Sequence, residues 1–286
     1  MIAAVASAAA TAAGIGLYRR LTGRFVSEVT LVVDDAFEGV ECEGVGQVLG
    51  AVLLLEDLDV PYQLKTSSAA SASHEEPAHS LTPPLLYAAD GVRLANPAAV
   101  CLHLGMMHGV AGAGHQLALM LQATLNADQF WLEAHGCLRG GSDRAAGVAY
   151  AHSERFTQWL LALQAPLQAS LREGPTPEST DLSVAVLLSA VESGEAVMRG
   201  QPLSTPSSST AHFTFGSSPS FADYHLFATL RRIEWVYPER LEATLDQMKL
   251  EPLQAWYQRM RERPRIVSFL ESERSNILSA AVKGVA

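Results

Sequence analysis

The sequence predicts a small α/β unit followed by an all-helical region, and three observations carry that prediction. A β-branched run, Val29 to Val33, is followed by an apolar stretch of helix length and a second short strand pattern ending at Thr66. Two more short strand patterns and a capped helix then complete the unit by Gly109. Beyond residue 115 the strand signals stop, and broad apolar helical faces recur over 116–138, 144–171, 181–191 and 221–236.

Taken in order, VTLVV (29–33) reads as a buried strand because β-branched side chains suit a pleated core. The acids and glycines of 34–46, DDAFEGVECEGVG, suit a loop. Over 47–58 the pattern is that of a mostly buried helix with acids only at Glu56 and Asp57, and Pro61 ends it by disfavouring helix at the residue before. YQLKT (62–66) is a second strand, and the small polar stretch 67–81 is a surface loop. Residues 85–88 and 92–95 read as two strands joined by a tight turn at Asp90-Gly91. Asn96 and Pro97 are suited to be N-cap and first residue of the next helix, since asparagine accepts an orphan N–H and proline has none to lose there. The Ser-, Pro- and Gly-rich stretch 192–210 interrupts the helical region as a loop.

With 286 residues the chain is long enough for two domains. Charged residues make up 17% and hydrophobic ones 48%, a balance that folds rather than stays disordered. The net charge of −10 and the lack of any Lys/Arg run exclude nucleic acid as a partner. Cys42, Cys101 and Cys137 lie far apart, which excludes a zinc ribbon, a dithiol motif and a disulfide scaffold, and a reducing compartment fits them best. Residues 1–18 carry no charge, and Arg19, Arg20 and Arg24 follow with no acid before Glu28. That composition fits a mitochondrial or plastid transit segment; a single membrane anchor and a frayed cytoplasmic terminus are the alternatives, and residues 1–27 are left out of the fold.

Candidate chemistry is sparse. Ser220 and Asp223 have the spacing of a capping box, in which each satisfies an orphan backbone donor of the other, and the helix they start carries Phe221, Tyr224, Phe227 and Leu230 toward the core. Their expected role is structural. His103 and His108 point in different directions on one helix, and Cys101 and His103 diverge further, so no metal site is expected. Asp128 and His135, seven apart, share a helix face that is solvated, part of an interface or turned to a cleft. Trp131, Trp159, Trp235 and Trp256 read as core or interface anchors.

Four stretches together carry a family resemblance: LLLEDLDVPYQL (53–64), TPPLLYAADGVRLANPAAVCLHLGMMHGVAG (82–112), FGSSPSFADYHLF (215–227) and LQAWYQRMRERPRIVSFLESER (253–274). Over residues 29–274 the chain resembles the glutathione transferases, in particular sigma-like or divergent eukaryotic members. The resemblance implies α/β + all-α architecture: a thioredoxin-like domain over 28–108 and a helical C-terminal domain over 115–286. It also implies that nothing is needed before the first strand, so residues 1–27 are expected to have a separate job in targeting or anchoring.

The same resemblance implies a glutathione site. Pro84 matches the family's cis-proline, and the preceding residue, Pro83, offers a C=O to the cysteinyl part of the peptide but no N–H. Asn96 and Pro97 match the acid-or-amide and serine that hold the γ-glutamyl carboxylate, and Pro97 has neither hydroxyl nor N–H. Two such losses weaken binding by about 10²- to 10⁴-fold. Counting back from Val60-Pro61-Tyr62 places the active-site turn near Cys42, a candidate nucleophile at a helix start, although Glu41 and Glu43 beside it disfavour the thiolate. Two functions are expected to compete. One is a transferase that conjugates or exchanges glutathione with an electrophilic or disulfide substrate, with glutathione as substrate and no cofactor. The other is a non-catalytic adaptor or subunit of an organellar or membrane complex; in either case the family admits a homodimer.

Overall fold

The structure is a computed structural model that describes residues 29–33, 43–66, 85–87, 92–112, 114–139, 144–173 and 213–276. Four strands, β1 (Val29–Val33), β2 (Tyr62–Thr66), β3 (Leu85–Tyr87) and β4 (Arg93–Ala95), form one sheet in the order β2-β1-β3-β4. β1 and β2 run parallel, and β3 runs antiparallel to both β1 and β4. A parallel pair needs a crossover, and α1 (Glu43–Asp57) supplies it. α2 (Pro97–Met107) follows β4, and the remaining elements are helical: α3 (His115–Arg139), α4 (Arg144–Ala151), α5 (Glu154–Glu173), α6 (Phe221–Val236), α7 (Pro238–Gln247), α8 (Glu251–Arg261) and α9 (Pro264–Leu270). The α/β + all-α architecture expected from the sequence is the one observed.

Two boundaries differ from expectation, each for a local reason. α1 begins at Glu43 rather than at 47, so part of the expected loop is helix. Gly44 and Gly46 each oppose helix by about 1 kcal/mol, and burial of Val48, Leu49 and the run Val52 to Leu55 outweighs them. The stretch expected as one helix over 144–171 is two, because Ser153 starts the second. Its hydroxyl accepts from the Phe156 N–H at 3.3 Å and donates to the Tyr150 C=O at 2.6 Å. The segment 1–27, the loop 67–81, the turn at Asp90-Gly91, the helix over 181–191 and the loop 192–210 lie outside the described residues. Among the described residues no helix is long and apolar enough to cross a membrane.

α6 is the centre of the packing. From Phe221 to Leu230 every residue is buried, with α1 and α2 on one side and α3 on another. α2 comes close because Gly105 has no side chain: a Cβ there would sit 2.6 Å from the Cβ of Phe221.

The start of α6 is fixed by the Asp223 carboxylate, which is fully buried and accepts five hydrogen bonds. Its Oδ2 takes the Ser220 N–H at 2.8 Å and the Ser220 hydroxyl at 2.7 Å, while the Asp223 N–H donates back to Ser220 Oγ at 3.4 Å. Its Oδ1 takes the Thr214 N–H at 2.9 Å, the Thr214 hydroxyl at 2.5 Å and the Trp256 indole N–H at 2.7 Å. One side chain therefore joins the turn before α6, the α6 N-terminus and α8.

A second set of polar contacts ties the end of α1 to the C-terminal helices. Asp57 Oδ2 accepts from the Tyr224 hydroxyl and from Arg263 Nε, both at 2.6 Å. Glu56 meets Arg274 at 2.7 Å, and Asp59 pairs with Arg265.

Asp223→Asn replaces one acceptor oxygen with a donor that faces donors, so it should lower the unfolding free energy of the chain by about 2–5 kcal/mol. Ser220→Ala, which removes only one half of the capping box, should cost about 1 kcal/mol. Urea denaturation of the full chain measures both.

Candidate functional site

The strand register brings the flanks of the expected site to one end of the sheet. Leu85, the first residue of β3, pairs with Val32 near the end of β1 on one side and with Ala95 at the end of β4 on the other. The chain segments holding Cys42, Pro83 and Pro84 leave the described strands at that end, and α2 begins there. Cys42, Pro83 and Pro84 themselves lie outside the described residues.

Asn96 and Pro97 are described, and their geometry is that of a closed helix end. Asn96 has φ 79, and its side-chain oxygen accepts the Ala98 N–H at 2.9 Å. Pro97 occupies the first helical position and is buried. A helix N-terminus attracts anions through its free N–H groups. Here the first is absent because residue 97 is proline, and the Ala98 N–H is taken by the cap.

A shallow depression of about 280 Å³ lies at the other end of the sheet, lined by Leu55, Glu56, Asp59, Val60, Pro61, Tyr62 and Arg274. It is laced by its own contacts: the Tyr62 hydroxyl donates to Glu56 at 2.6 Å, and Arg274 donates to that hydroxyl at 3.2 Å. Burial and the Glu56 carboxylate push the Tyr62 phenol well above its usual range, so it stays a phenol.

A third cluster is buried between α2, α3 and α6. His225 Nε2 lies 2.7 Å from Asp128 Oδ1, and His225 Nδ1 lies 3.5 Å from Cys101 Sγ. Burial and the nearby Asp128 charge push the Cys101 thiol far up, so it is no nucleophile in the closed fold. Burial works against the charged form of Asp128, but the His225 contact and the Arg232 charge outweigh it and hold the carboxyl below its usual range. Arg232 is fully buried, lies 4.5 Å over the Trp131 ring and donates to Thr229 Oγ1 at 2.9 Å. Burial lowers its pKa to about 10.

Asp128 and His135 therefore do not face a cleft as a pair: Asp128 bonds His225, and His135 stacks on Trp131 at 5.3 Å. The apolar stripe of α6 does not point to His225 or Arg232, which lie off it. The available signal was a matched spacing: His225 and Arg232 are seven apart on α6, as Asp128 and His135 are on α3.

Residues 200–273 match the family model described as glutathione S-transferase, C-terminal domain. Among solved structures, the chain is similar to a Pi-class glutathione S-transferase of Onchocerca volvulus at 16% identity and TM-score 0.57, covering 87% of this chain and 95% of that one. It is similar to the monomeric Na-GST-3 of the hookworm Necator americanus at 16% identity and TM-score 0.56, covering 86% and 97%. A sigma class glutathione S-transferase of Fasciola hepatica matches at 13% identity and TM-score 0.56, covering 86% and 97%. No curated protein matches the chain by sequence. The fold is that of the glutathione transferases, a thioredoxin-like unit followed by a helical domain.

Because Asn96 combines a positive φ with a capping side chain, substitutions there should separate the two demands. Asn96→Gly should cost only a few tenths of a kcal/mol, and Asn96→Ala, which strains the backbone and loses the cap, about 1–2 kcal/mol. Thermal unfolding of the two variants beside the native chain measures the difference.

Proposed function

We propose that this chain, with its glutathione transferase fold and C-terminal domain, is a glutathione transferase-like protein that works as a non-catalytic interaction module. One observation carries the reading. The helix end that would hold the γ-glutamyl carboxylate has proline where a donor is needed and an asparagine cap on the next N–H. Titration calorimetry of the full chain should detect no glutathione binding up to about 10 mM, weaker than about −3 kcal/mol. Pro97→Ser, which returns an N–H and a hydroxyl to the helix start, should raise affinity at least tenfold. Micromolar binding by the native chain overturns the reading.

One observation favours the second reading, a transferase acting through Cys42. α1 begins at Glu43, so Cys42 directly precedes a helix N-terminus, where the backbone dipoles favour a thiolate. In that case the native chain exchanges glutathione with a disulfide substrate and Cys42→Ser abolishes the exchange.

Homodimerisation is part of the proposal. Ala118, Leu119, Gln122, Leu125, Gln129, Leu132 and Gly136 form an exposed stripe of α3 without a charge, with Val148 of α4 exposed as well. In a chain of net charge −10 such a face meets its own copy without like-charge repulsion. Sedimentation equilibrium should give a dimer that Leu125→Glu with Leu132→Glu converts to monomer.

A further inference from the structure

We propose that Cys101, His225 and Asp128 form a latch that sets the position of α2, and that this latch opens locally while the helical region stays folded. The need for a latch comes from α2 itself. Its sequence, PAAVCLHLGMM, is apolar on nearly every side, so hydrophobicity does not select which face turns inward, and the fit of Gly105 against Phe221 does so at the far end of the helix only. The face it buries combines the aliphatic Val100 and Leu104 with the small Ala98, Cys101 and Gly105, and Met106 is 62% exposed. A directional contact distinguishes one rotation of such a helix from the others.

The Cys101 thiol, 3.5 Å from His225 Nδ1, supplies that direction. Asp128 holds the imidazole from the opposite side at 2.7 Å, so the chain of contacts runs from α2 through α6 to α3. α1 closes the fourth side. A Cβ on Gly50 would lie 3.1 Å from His225 Nδ1 and 3.2 Å from Cys101 Sγ, so the backbone of α1 rests against the contact itself. Cys101 is one helical turn from Pro97, and the latch therefore places the N-terminus of α2 at the sheet end, whether or not glutathione binds there. Local opening follows from the composition of the seam: the thiol contact is weak, and α2 buries less than α6.

Cys101 reports on its own latch. In the full chain carrying Cys42→Ser and Cys137→Ser, it is the sole thiol, and its labelling by N-ethylmaleimide measures opening once each variant's rate is divided by its own rate in denaturant. Asp128→Asn should accelerate labelling at least tenfold in the absence of urea. The accelerated rate should change little over low urea, because local opening exposes little surface. Unchanged labelling overturns the proposal, as does an acceleration that rises with urea as steeply as global unfolding. If Asp128→Asn does not fold, Gly50→Ala carries the test, since it leaves all three groups in place and presses on the His225 ring, the Cys101 thiol and the α6 backbone at His225; the dependence on urea separates local opening from a general loosening of α6, and the same outcomes decide.

Discussion

The buried carboxylate of Asp223 is the constraint on which the helical region depends. Five donors from Thr214, Ser220 and Trp256 converge on two oxygens that have no access to water. A buried carboxylate without those donors is costly, and those donors without it are nearly as costly, so the turn, the start of α6 and α8 stabilise one another. The direction in which α6 enters the core follows, and with it the packing of α1, α2 and α3 around it.

Around that helix the two layers are joined by polar contacts with different exposure. At the end of α1, Asp57 is nearly inaccessible and holds Tyr224 and Arg263, while Asp59 and Arg265 are largely open to solvent. Screening by water makes the outer pair worth little, and the inner one carries the weight. Deeper in, His225, Asp128 and Arg232 replace what would otherwise be apolar contacts between α3 and α6. Thr229, the Trp131 ring and the Asp128 charge meet the burial of Arg232 only in part, since its Nε and Nη1 are buried without a hydrogen bond, and its lowered pKa records how far burial opposes its charge.

At the candidate site, position and capacity to bind an anion rest on different residues. The register of β1, β3 and β4 assembles the sheet end where α2 begins. Anion binding there depends on free N–H groups rather than on the fold, and Asn96 and Pro97 remove two of them by capping and by ring closure. Position and reactivity are thus set by different residues, which is why likeness of fold leaves the activity open.

Most of the architecture was legible in the residues because its signals are local. The β-branched run of β1, the Asn96-Pro97 cap and the Ser220/Asp223 spacing each act within a few residues, and such interactions can be read from a linear string. The start of α1 is not legible in this way, because Gly44 and Gly46 carry a local preference that the packing of the helix body overrides. The end of α4 was missed because Ser153 breaks a helix only where its hydroxyl finds the Phe156 N–H. What the sequence determined by itself was the order of elements, the caps and the loss of donors at Pro97, all consequences of covalent structure and near neighbours. Only the tertiary structure decided that Asp128 turns to His225, that Cys101 lies against that histidine, and that Trp256 closes on Asp223. Those contacts join residues 97, 124 and 33 positions apart, and packing in three dimensions selects among the partners that sequence leaves equivalent.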